Sequence, residues 1–131
     1  MEQQPKKTMQ QVIADDGRYA PEAFAFLHDG LNRAVQDVYA DEAGGEQQHH
    51  VSGQQLSESL RDLAIERWGM MAKAVLNKWN VRATLDFGNM VYLLIDNDYM
   101  RKTDGDSLDD FRDVYDFEKA FGNYQAFELK E

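Results

Sequence analysis

The chain predicts a mainly α fold, a compact bundle of about five helices, with a short C-terminal β-hairpin as the element that would make it a winged-helix-like α+β arrangement. Three observations predict it. Apolar residues recur at helical spacing, as in Phe24, Leu27, Leu31, Ala34, Val35 and Val38, so one stripe of a helix faces a core. Helix caps are written into the sequence, most fully at Ser52, which stands three residues before Gln55 while Val51 and Leu56 flank the cap. Gly17, Pro21, Gly69 and Asn80 punctuate the stripes at their ends.

In order along the chain, Thr8 and Gln11 have the spacing of a capping box for a short helix from Met9 to about Asp16, stopped at Gly17. Pro21 and Glu22 suit the first turn of the next helix, because proline needs no amide partner there and the carboxylate faces the positive end of the dipole. Residues 40–50 are polar and contain Gly44 and Gly45, which predicts a mobile loop. Ser52 then caps a helix with Leu56, Leu60, Leu63, Ala64 and Trp68 on one face, and Gly69 ends it in a left-handed conformation. Met71, Ala72, Val75, Leu76 and Trp79 supply the stripe of a shorter helix ended by Asn80, and both tryptophans are expected to be buried.

Thr84 is expected to cap a helix running to about Asn97, with Phe87, Val91, Leu94 and Ile95 facing inward. Beyond it, residues 99–103 fit a short strand, 104–106 a turn, and Ser107 the cap of a brief helix that includes Leu108 and Phe111. Residues 114–117 fit a partner strand for the hairpin, and a last helical turn runs from Glu118 to Phe121 before Gly122.

A chain of 131 residues suits one domain spanning 1–131, with residues 1–7 expected to be disordered and 123–131 frayed. The absence of cysteine excludes disulfides, a thiolate nucleophile and cysteine-ligated metal sites. The first residues lack the apolar stretch of a secretion signal, and the run from Met90 to Ile95 is too short to span a bilayer. A soluble cytoplasmic protein without a membrane partner is the expectation.

The formal net charge is −10, and nine acids against three bases between Asp96 and Glu118 concentrate −6 there. Such a balance disfavours phosphate backbones and favours a basic partner. In a winged-helix reading, the helix from Leu85 to Asn97 would bring Asp86 and Asp96 to DNA with no lysine or arginine, so a nucleic-acid partner is not expected.

No catalytic residue set emerges. His28 borders the stripe of the second helix and reads as a packed histidine, while His49 and His50 near Glu42 and Glu46 lack a third ligand at a diagnostic spacing, so no metal is expected. Counting a calcium loop from Asp104 puts Asp109 at the sixth position and Tyr115 at the twelfth, which fails the EF-hand pattern. Ser52, Ser57, Ser59 and Ser107 sit at caps or on a helix face, outside any glycine-flanked elbow, and no phosphate-binding glycine loop occurs. No cofactor is implied.

Several phrases, 19–24 (YAPEAF), 50–56 (HVSGQQL), 79–82 (WNVR), 86–88 (DFG), 109–111 (DDF) and 115–117 (YDF), resemble the recurring words of an uncharacterised bacterial family found mainly in planctomycetes and verrucomicrobia. The resemblance covers roughly Val12 to Phe121. The family pattern prefers proline at position 70 and glycine at position 80, where this chain has Met70 and Asn80. No activity, cofactor or site residue is implied by it.

Two function classes follow. The first is a small acidic noncatalytic module that binds a protein, with Asp106, Asp109, Asp110 and Asp113 as the partner-binding candidates. The alternative is a small-molecule-binding protein or enzyme whose pocket brings together Tyr19, His28, His50 and Arg82.

Overall fold

The computed structural model describes residues 6–39 and 50–122. Among them the fold is all-α: α1 (Met9–Asp16), α2 (Pro21–Tyr39), α3 (Gly53–Trp68), a 3-10 turn (Gly69–Met71), α4 (Ala72–Lys78), α5 (Thr84–Asp96), a second 3-10 turn (Leu108–Phe111) and α6 (Phe117–Gly122). Both predicted capping boxes form. The Gln11 amide donates to Thr8 Oγ1 at 3.1 Å and the Gln55 amide to Ser52 Oγ at 3.0 Å, while each glutamine side chain accepts from the cap's own amide. Gly17 (φ 73°) and Asn80 (φ 71°) end their helices with positive φ, as their residue types allow. Gly69 ends α3 with φ 52° and ψ −126°, outside the left-handed helical region expected for it, and this leads directly into the 3-10 turn.

α2 and α3 are the packed pair at the centre. Gly30 makes their approach possible, because a Cβ there would lie 2.1 Å from Leu60 Cδ2, and Leu60 is fully buried on it. The helix-propensity cost of that glycine, about 1 kcal/mol, is smaller than the roughly 1.5–3 kcal/mol gained by burying a leucine. α2 buries more than one stripe: Phe24 and Leu27 point one way and Phe26 another, into a cluster with Trp68 (centroids 5.1 Å apart) and Trp79 (5.9 Å). The two tryptophans meet edge to face at 5.5 Å. They are half-buried rather than buried, because this cluster lies at the edge of the core, and Met71 and Val38, both expected inside, are exposed.

The C-terminal third departs most from expectation. No strand occurs among the described residues, so the hairpin over 99–117 and the winged-helix alternative do not form. Side chains satisfy the backbone there instead of a ladder: Asp106 Oδ2 accepts from the Thr103 amide (2.8 Å), Asp110 Oδ2 from the Ser107 amide (3.1 Å) and Asp116 Oδ1 from the Glu118 amide (2.7 Å). Such local bonds compete with sheet pairing.

Thr84 is not a cap either. It lies inside the first turn of α5, whose start is held by Asp86 Oδ2 accepting from the Arg82 and Ala83 amides (2.8 and 3.1 Å). The buried Thr84 hydroxyl donates to the Phe111 carbonyl (2.6 Å) and accepts from the Val114 amide (3.1 Å), tying the C-terminal segment to α5. Phe111 is wedged between glycines: a Cβ at Gly53 would lie 2.9 Å from its ring, and one at Gly88 2.8 Å from its Cβ.

The loop predicted over 40–50 lies outside the described residues except for His50, whose carbonyl accepts from the Tyr39 hydroxyl. The tail predicted over 123–131 also lies outside them, as do residues 1–5 of the stretch expected to be disordered. Lys6 and Lys7 are described: the Lys6 ammonium sits 4.1 Å from the Tyr99 ring centroid, and the Tyr99 hydroxyl donates to the Lys7 carbonyl. These contacts fix the start of α1 against the segment after α5.

Candidate functional site

Two neighbouring chambers open on the face where α1, α2, α5 and the segment after α5 meet. The larger, about 590 Å³, is walled mainly by apolar side chains, among them Ile13, Phe24, Leu27, Leu94, Tyr99 and Met100. The smaller, about 310 Å³, has a mixed lining that includes His50, Ser52, Tyr92, Asp106, Asp110 and Phe111. Leu31, Leu56 and Met100 belong to both, so a ligand seated in one lies against the wall of the other. The lining comes from positions scattered from Met9 to Phe111, each placed by its own helix or turn.

At the polar end, His50 Nε2 lies 3.0 Å from Asp106 Oδ1. Burial works against charge on Asp106, yet the Thr103 amide and hydroxyl and His50 together hold its carboxyl below the ordinary carboxylate range. The Tyr92 hydroxyl is buried and has no hydrogen-bond partner among the described residues. Burial, reinforced by the charges of Asp106, Asp110 and Asp96, pushes the Tyr92 phenol up, so it stays protonated near neutrality.

The four predicted pocket residues do not converge. His50 lines the smaller chamber and His28 the larger, where it is exposed on α2 rather than packed. Tyr19 is buried and donates to Asp86 Oδ1 at 2.6 Å while accepting from Asn89 Nδ2 at 3.0 Å. Burial first and then the Asp86 carboxylate raise this phenol to about 12. Arg82 is exposed and lines a third cavity of about 420 Å³ with Lys73, Asp113, Tyr115 and Asp116. Among the described residues, Asp86 is the hydrogen-bond partner common to both, accepting from the Tyr19 hydroxyl and the Arg82 amide.

The four predicted acids are also dispersed. Asp106 and Asp110 line the smaller chamber, each spending one oxygen on a local turn. Asp109 accepts from Arg112 Nε at 2.7 Å on the surface, and Asp113 is exposed with φ 51° beside the third cavity. No group of three His, Asp or Glu among the described residues is placed to hold a metal ion; Glu42, Glu46 and His49, from which no metal site is expected, lie outside those residues. No helix among the described residues is long and apolar enough to cross a membrane.

Sequence reasoning missed Tyr92 and Met100. Neither carries a local signal, since a tyrosine inside an apolar helix and a methionine after one read as ordinary core. No family model, curated protein or solved structure matches the chain, so the family resemblance rests on its quoted phrases alone.

Proposed function

We propose that the protein is a noncatalytic binding module whose site is the two-chambered cleft, and that it holds a small amphipathic molecule. The observation that carries this reading is the larger chamber. A recess of about 590 Å³ lined by Phe24, Leu27, Leu94 and Met100 has the size and apolar character of ligand pockets. The His50, Asp106 and Tyr92 groups next to it supply the few polar contacts that orient a ligand.

The test is a fluorescence titration with the neutral probe N-phenyl-1-naphthylamine. The expected result is one saturable site per folded chain, lost in Ala25→Trp, which fills the chamber from an exposed α2 position. An Ala25→Trp protein that binds the probe as the unmodified chain does, or an unmodified chain that does not bind it, overturns the reading.

The competing reading is a basic protein partner on the acidic surface, and exposure favours Asp109 and Asp113 as its contacts. It predicts a partner whose association slows when those two acids are reversed, with strong salt dependence.

A further inference from the structure

Building on the cleft reading, we infer that the ligand is an amphipathic amine, its ammonium group seated between Asp106, Asp110 and Tyr92 and its apolar body against the wall around Met100 and Leu31. The smaller chamber is lined by two carboxylates and the Tyr92 phenol, beside the hydroxyl residues Ser52 and Ser107, which supplies acceptors for the three donors of a primary ammonium. Asp106 accepts from the Thr103 amide and hydroxyl and faces His50, and Asp110 accepts from the Ser107 amide, which leaves lone pairs on each carboxylate. The Tyr92 oxygen has no hydrogen-bond partner among the described residues, and Tyr92 and Phe111 both line the chamber.

The other charges in the chamber are placed differently. Arg101 and Lys102 are exposed, where water and salt screen them, whereas the Asp106 side chain is only 20 % exposed. His50 competes for one Asp106 oxygen without covering Asp110. An anionic head would meet the two carboxylates, with Arg101 and Lys102 as its exposed, screened counter-charges. The net charge of −10 adds a long-range field that draws cations toward the protein.

The experiment compares decylammonium, decanol and decanoate by calorimetry on the full chain at fixed ionic strength. Decylammonium is expected to bind about tenfold tighter than decanol, and decanoate more weakly than decanol. Asp106→Asn and Asp110→Asn keep an acceptor for the Thr103 and Ser107 amides, so the local turns survive. Each is expected to bring decylammonium down to the decanol level while leaving decanol unchanged. Asp113→Asn, outside the cleft, is expected to leave all three ligands as they were. Decanol binding without any preference for the amine overturns this inference alone, as does an equal loss in Asp113→Asn. Failure of all three ligands and of the neutral probe overturns the cleft reading itself.

Discussion

Gly88→Ala is the perturbation that most sharply tests the packing of the C-terminal segment. In an exposed helix this change would stabilise by about 1 kcal/mol. Here the new methyl would lie 2.8 Å from Cβ, Cγ and Cδ2 of Phe111. Those are the near atoms of a side chain that cannot swing away, since Gly53 bounds its other side and Thr84 holds its carbonyl. Overpacking of this kind costs typically 1–3 kcal/mol, and the upper part of that range applies when the neighbour is fixed. Subtracting the propensity gain leaves a net loss of about 1–2 kcal/mol, or a fall of about 4–8 °C in Tm. Urea unfolding followed by circular dichroism measures it, with Gly105→Ala as the control because nothing lies within 4 Å of a Cβ there. The control should change stability by less than about 0.5 kcal/mol. A Gly88→Ala protein as stable as, or more stable than, the unmodified chain would refute the wedge.

Three further outcomes follow from the same geometry. Thr84→Val removes the hydroxyl that satisfies the Phe111 carbonyl and the Val114 amide, and should cost about 2–4 kcal/mol in urea unfolding. Trp79→Ala should cost about 2–3 kcal/mol, below the range for a fully buried tryptophan, because the ring is only partly buried; near-ultraviolet circular dichroism should lose the signal of the Trp68 and Trp79 pair. Asp106 has a folded pKa below its ordinary value of 3.8, so its contribution is present above that pH and lost as pH falls through the folded value. Asp106→Asn should therefore flatten the acid limb of the stability curve below about pH 4, measured by chemical denaturation across pH.

The parts of the fold legible in the sequence are those decided within a few residues. The Ser52 and Thr8 boxes need only a hydroxyl and a glutamine at fixed spacing, and Gly17 and Asn80 need only tolerance of positive φ. The segment after α5 was not legible, because Thr103 to Asp106 and Ser107 to Asp110 carry turn chemistry while the flanking residues carry strand propensity. Tertiary contacts decided between them, with Phe111 drawn into the gap between Gly53 and Gly88. A signal for that gap existed: Gly88 lies inside a helical stripe where no turn needs it, as Gly30 does where Leu60 packs, and such a glycine marks close approach by a neighbour. The cleft had no local signal at all. Its walls join Leu31, His50, Tyr92 and Met100, residues that only the packing of α2 on α3 and α5 brings to one face.

The most direct test of the binding site is a two-dimensional NMR titration of the labelled chain with N-phenyl-1-naphthylamine. Binding in the cleft predicts shifts concentrated at Leu27, Leu31, Leu94 and Met100, saturating together at one equivalent. Shifts centred instead on the exposed Met70 and Met71, or spread without saturation, would contradict it.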